Sequence, residues 1–207
     1  QGDRLVVGAG VTMAQILASR DLDFLHPVAR AVGGPAIRNM ATVGGNLFAE
    51  HPYGDMTAAL LVLDCQVTLA GGQSSALADF LRDRDREPRA LVASVSIARP
   101  QSGVFKFRKA SRVKPKGVSL MTVAAWVPQS GGRVSGARIA YSSMGPMPMR
   151  VTAVEQALEG AMLDEAGIGS ALAAATSGIE PPTDAIASSW YRKEVAPVHL
   201  KRTLLGG

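Results

Sequence analysis

The chain has 207 residues, 47% of them apolar, with 22 Lys+Arg against 17 Asp+Glu and a net charge of +5. That size and composition support one large or two small packed domains and exclude a disordered chain. The charges are spread without an interleaved aromatic platform, which argues against a nucleic-acid groove; no apolar run approaches the ~18 residues of a membrane helix; and the single cysteine, Cys65, excludes an internal disulfide and a cysteine-held zinc or iron–sulfur site.

Leu5-Val6-Val7 reads as a short strand ending at Gly8-Ala9-Gly10. Thr12 followed three residues later by Gln15 is a capping box, and Met13, Ile16 and Leu17 continue it as a short helix. A second helical stretch, 22–32, is entered through Pro27. Gly33-Gly34-Pro35 breaks the chain, and 37–47 reads as a glycine-bearing loop. Asp55 is then expected as the N-cap of a buried helix over 56–63. Leu63-Asp64-Cys65 leads into a strand over 66–70, with Cys65 a buried, structural thiol. The alternating-sign run Arg82-Asp83-Arg84-Asp85-Arg86-Glu87 predicts a solvated turn, and 91–97 a further strand.

Arg99-Pro100-Gln101-Ser102-Gly103 is the expected domain boundary, giving domains of 1–100 and 103–207. Beyond it, 104–108 and 118–127 predict strands, and Gly131-Gly132 turns the chain into an antiparallel partner over 134–142. Helices are expected over 151–158, stopping at Gly160, and from Asp164 to Ser177. Tyr191, Val195 and Val198 share a face of a last helix that Pro197 should kink or split. Strands followed by helices make this half α+β.

The chemistry concentrates in Thr42-Val43-Gly44-Gly45-Asn46. Adjacent glycines admit close approach of a ligand, consecutive amides can cradle phosphate oxygens, and Thr42 and Asn46 add a hydroxyl and an amide. An isolated Gly-Gly is equally a turn between core elements, and the Gly-x-Gly-x-x-Gly dinucleotide fingerprint is absent. His51 reads as a loop residue without a partner motif, and Met144, Met147 and Met149 as packing or interface residues.

In its wider context the loop resembles a known motif. Ile37-Arg38-Asn39 leading into 42–46, then Pro52-Tyr53-Gly54-Asp55 and an Ala/Leu helix, closely resembles the second flavin motif of the molybdenum hydroxylases: xanthine dehydrogenases, aldehyde oxidases and aerobic carbon monoxide dehydrogenases. Lys106-Phe107-Arg108-Lys109-Ala110-Ser111, the Pro148-Met149-Arg150 stretch with Glu155, Leu158 and Gly160, and the Tyr191-Arg192 and Lys201-Arg202 pairs are similar to segments of the same family's C-terminal flavoprotein domain. The resemblance implies the C-terminal part of a two-lobed FAD-binding domain followed by a small antiparallel sheet with helices. It implies an FAD-binding electron-transfer subunit in the cytoplasm, with partners an iron–sulfur small subunit carrying 2Fe–2S clusters and a molybdopterin large subunit. Electrons would pass from those clusters through FAD to an acceptor; the alternative is a scaffold subunit that keeps the fold without flavin. By position, Thr42, Val43, Gly44, Gly45 and Asn46 match the loop at the pyrophosphate and ribityl region. Asp55 matches the aspartate beside it, and Lys106 or Arg108 a cation near the isoalloxazine; no catalytic or metal-ligating residue is implied. Two departures stand out. The sequence begins after the position of the family's first flavin motif, and 112–117, with Arg112, Lys114 and Lys116, is longer than in relatives.

Overall fold

The computed structural model describes residues 4–86, 90–101, 103–113 and 117–206. Its first half opens with β1 (Arg4–Gly8) and α1 (Met13–Ala18), whose capping box between Thr12 and Gln15 is formed in both directions. A 3-10 turn (Asp23–Leu25) leads into α2 (His26–Ala31), with Pro27 in its first turn. The expected loop over 37–47 is instead two short helices, α3 (Pro35–Met40) and α4 (Val43–Leu47), with only Ala41 and Thr42 between them. Then come α5 (Asp55–Val62), β2 (Gln66–Leu69), β3 (Ser74–Ala76), α6 (Leu77–Asp83) and β4 (Val92–Ala98). The strands form an antiparallel sheet in the order β1-β4-β2-β3.

The second half starts with β5 (Phe105–Ser111) and β6 (Ser119–Trp126), followed by the small hairpin of β7 (Gln129–Ser130) and β8 (Arg133–Val134). β9 (Arg138–Ser142) and β10 (Met149–Arg150) complete a second antiparallel sheet, ordered β10-β9-β6-β5. α7 (Thr152–Leu158), α8 (Gly169–Ala173) and α9 (Ser189–Leu205) close the chain. The helix expected from Asp164 to Ser177 is only the α8 turn, because the Asp164 carboxylate accepts from the Gly167 amide and closes a local turn. α9 runs unbroken through Pro197. Its buried face is not Tyr191, Val195 and Val198 but Arg192, Ala196, Leu200, Thr203 and Leu204, and that packing offsets the hydrogen bond proline removes.

Two apolar cores meet at α5. All eight of its residues are buried: six are apolar, and the polar Asp55 and Thr57 are hydrogen-bonded. One side packs on α2 and α4, the other on β6 and β9. The second sheet accommodates it through small residues: Ala124 and Ala140 face α5, while Val123, Ala125, Ile139 and Tyr141 face the second core under α7, α8 and α9. A buried helix must have its terminal polar groups satisfied. Asn46 Oδ1 accepts from the Thr57 amide at 3.2 Å near the start, and Arg138 Nε donates to the Val62 carbonyl at 2.7 Å at the end. Asp55 is not the N-cap: Gly54 holds that place at φ +118°, a conformation open to glycine, and Asp55 becomes the first helical residue. Cys65 is buried as expected, and burial pushes its thiol up to about 12. Among the described residues, no helix is long and apolar enough to cross a membrane.

Candidate functional site

The site is built on the short helix α4. Thr42 precedes it in an extended conformation, and its hydroxyl accepts from the Gly45 amide at 3.0 Å, an N-cap in the usual sense. The helix start is pinned to the turn after β1: Val43 N–H donates to the Val11 carbonyl at 2.9 Å and Gly44 N–H to Ala9 at 2.8 Å. The Asn46 amide returns to the Thr42 carbonyl at 3.0 Å. All four amides from Val43 to Asn46 are thus spent inside the chain, and the expected row of phosphate-cradling amides is not what this segment presents.

The two glycines do different work. Gly44 is buried, and a Cβ there would fall 2.8 Å from the Ala9 Cβ and 3.1 Å from its carbonyl oxygen. It is glycine because α4 rests on the β1 turn. Gly45 is exposed, and a Cβ there would meet only the Thr42 hydroxyl, at 3.0 Å. Its outer face is therefore open to a group laid flat against the backbone, beside the Thr42 and Asn46 side chains. That open face fits contact with a cofactor.

Two further side chains hold α4, and neither was evident from motif spacing. Thr57 on α5 donates its hydroxyl to the Asn46 carbonyl at 3.0 Å. Arg84 lies inside the charge run expected to be solvated, yet it is 6% exposed and donates to the carbonyls of Leu47 and Ala49. Arg82 and Arg86 pair with Asp79 and Asp83 at the surface, as expected of such a run. The usable signal was helical: Arg84 stands four residues after Phe80, on the inward face of α6, and Phe80 meets Phe48 edge to face.

Asp55 is 5% exposed and faces the second sheet. Lys109 Nζ lies 2.8 Å from its carboxylate, and the Thr122 hydroxyl donates to its other oxygen. Lys109 also donates to the Ala31 carbonyl at 2.9 Å, so one ammonium ties β5 to both α2 and α5. The cations singled out by motif position lie on the other face of β5. Lys106 donates to the Leu204 carbonyl on α9, and burial pulls its pKa down. Arg108 reaches the Arg202 carbonyl at 3.4 Å. The structure joins 42–46 to the start of α5 through Thr57 and Lys109 to the same helix through Asp55, and leaves Lys106 and Arg108 on the far side of the sheet. A strand's period of two explains this: Lys109 shares parity with Phe105 and Phe107, which pack on the first core.

His51, read as a loop residue, has a partner: its Nε2 lies 2.7 Å from the Asp184 carboxylate, which also receives the fully buried Arg192 at 2.9 Å. Desolvation alone would raise the Asp184 pKa. Hydrogen bonds from His51, the Ala187 amide, Arg192 and the Ile186 amide outweigh it and hold the carboxyl well below its ordinary range. Among the described residues, no group of three His, Cys, Asp or Glu side chains is placed to hold a metal. Lys114 and Lys116 of the 112–117 segment lie outside the described residues.

Comparison with known proteins agrees with this architecture. Residues 1–100 match the family described as the FAD binding domain in molybdopterin dehydrogenase, and residues 105–206 match the CO dehydrogenase flavoprotein C-terminal domain. The chain is 27% identical over 180 residues to the glyceraldehyde dehydrogenase medium chain of Sulfolobus acidocaldarius, covering 84% of this chain and 64% of that one. It is 26% identical over 215 residues to the carbon monoxide dehydrogenase medium chain of Afipia carboxidovorans, covering 99% and 74%. The fold superposes on the reconstituted CO dehydrogenase from Oligotropha carboxidovorans with a TM-score of 0.84 at 27% identity, over 99% of this chain and 75% of that one. Quinoline 2-oxidoreductase from Pseudomonas putida 86 gives 0.82 at 26%, with the same coverage. The chain therefore spans just under two thirds of the first relative's length and about three quarters of the others'.

Proposed function

The chain belongs to the family of FAD-binding medium subunits of the molybdenum hydroxylases, and from that premise we propose that it holds FAD and relays electrons within an oxidoreductase complex. Its partners would be an iron–sulfur subunit, the source of the electrons, and a molybdopterin subunit that oxidises the substrate. The complex would work in the cytoplasm. The observation that carries the reading is the outward face of Gly45, left open while its neighbour Gly44 is locked against Ala9.

FAD, when bound, supplies a redox centre able to exchange one or two electrons. Everything else falls to side chains of this protein. Thr42 and Asn46 flank the open glycine face and orient what lies on it. Val43 and Gly44 anchor α4 to the β1 turn, and Thr57 and Arg84 keep the helix from shifting. Asp55 and Lys109 form a largely buried ion pair at the start of α5, the helix whose Thr57 holds Asn46. We assign Lys109, rather than Lys106 or Arg108, as the cation that acts electrostatically on the site, because it alone of the three faces α5. The division at Pro100 to Gly103 would separate the cofactor half from the C-terminal half.

A second reading has an observation in its favour. Since the amides of 43–46 are all used internally, a scaffold subunit that has kept the fold and lost flavin would look the same there. Co-expression with the iron–sulfur and molybdopterin subunits, followed by the visible absorbance of the assembled complex, separates the two. One FAD per copy of this chain supports the electron-transfer subunit. An assembled complex in which this chain adds no flavin supports the scaffold.

A further inference from the structure

On the face of β5 that turns away from α5, the strand and α9 enclose a pocket of about 250 Å³. Arg108, Lys109, Arg112, Arg202 and His199 contribute to its wall, and Tyr191 adds an aromatic ring. Among the described residues, no Asp or Glu lines it. Lys109 is neutralised from behind by Asp55 at 2.8 Å. The Arg112 guanidinium is held differently: it donates to the Ile186 carbonyl at 3.3 Å. Carbonyls fix the direction of a guanidinium without cancelling its charge. Among the described residues, neither Arg112 nor Arg202 pairs with a carboxylate.

Like charges gathered in one concavity repel, and a bound anion relieves the repulsion. We propose that this pocket is a binding site for a phosphate monoester group. Guanidinium forks match the paired oxygens of a phosphate, and several converging on one cavity can engage it from different sides. The Ser111 hydroxyl and His199 imidazole stand in the same wall, and the 45% exposed Tyr191 ring offers a flat surface for whatever the phosphate carries. The volume suits one phosphate with a small substituent; it is below the roughly 300–1,000 Å³ range of sites for drug-sized ligands, and so too small for a dinucleotide. The site shares Lys109 with the proposed flavin site and none of residues 42–46. The group could arrive as free phosphate or on a mononucleotide.

The test is a calorimetric titration of the purified protein with inorganic phosphate and with adenosine 5′-monophosphate, at constant ionic strength set with potassium chloride. The proposal expects saturable one-site binding of at least one of them. The double variant Arg112→Gln/Arg202→Gln should weaken it about tenfold or more, as the loss of charge-assisted hydrogen bonds implies, with melting temperature and flavin content unchanged. Tighter binding of the nucleotide, reversed in Tyr191→Ala, identifies a nucleotide source; equal binding identifies free phosphate. Absence of saturable binding overturns the proposal. So does unchanged affinity in the double variant. Displacement of phosphate by FAD also overturns it, because the pocket would then belong to the cofactor site.

Discussion

The two faces of β5 carry neighbouring cations in opposite circumstances. On the face toward α5, Lys109 is buried against a carboxylate, a threonine-supported carboxylate at that, and joins the two halves of the molecule. On the face toward α9, Lys106 and Arg108 meet backbone carbonyls and Arg112 continues the row at the rim. The partner makes the difference: α5 offers Lys109 the Asp55 carboxylate, whereas α9 offers Lys106 the Leu204 carbonyl. One face is therefore a structural seam beside the proposed flavin site, and the other carries the pocket to which Arg112 and Arg202 contribute.

The largest effect should come from breaking the seam. Lys109→Met leaves Asp55 buried without its cation, and removing one partner of a buried pair typically costs about 3–5 kcal/mol. Urea denaturation measures this, and Lys109→Met/Asp55→Asn should recover part of the loss. If Lys109→Met is as stable as the parent, the pair does not hold the halves together. On protein that remains folded and flavin-loaded, Lys109→Met should shift the flavin potential downward, whereas Lys106→Met and Arg108→Met should leave it unmoved.

The adjacent glycines give the next comparison. Gly44→Ala must displace Ala9 and should cost about 1–3 kcal/mol, the usual range for overpacking. Gly45→Ala sits in helical backbone with one close neighbour, the Thr42 hydroxyl at 3.0 Å, so it should change stability by less than about 1 kcal/mol. Equal destabilisation by both would show that Gly45 is not an open face.

Acid titration probes another polar tie across the halves, His51 with Asp184 and Arg192. The Asp184 pKa is depressed in the folded protein, so its contribution is fully present above the unfolded carboxylate value of about 3.9 and is lost as pH falls through the folded one. The melting temperature should fall on acidification below about pH 4, and Asp184→Asn should start lower and fall less steeply. A smaller effect is expected at Lys106, where substitution by Met removes one donor from a carbonyl, a change worth about 0.5–1.5 kcal/mol.

What the sequence made legible was local or periodic. The Thr12 and Gln15 capping box is read from a three-residue spacing, and α5 announces its burial by its apolar Ala/Leu run. The two glycines look identical in sequence, since what separates them is Ala9, some thirty-five residues earlier and adjacent only after folding. Asp55 resembled an N-cap because a carboxylate before an Ala/Leu run is one; its buried lysine partner comes from a strand in the other half. Arg84 was hidden by its charged neighbours, although its spacing from Phe80 marked the inward face. Pro197 was overruled by the packing of Ala196, Leu200 and Leu204. In each case the miss reflects a tertiary contact outweighing a local preference.

The most direct test of the central claim is an equilibrium titration of FAD, followed by quenching of its fluorescence, comparing the parent protein with Gly45→Val. The open face of Gly45 predicts saturable quenching in the parent and at least a tenfold weaker response in the variant, with unchanged circular dichroism. Equal affinity in the two proteins would contradict the placement of FAD on α4.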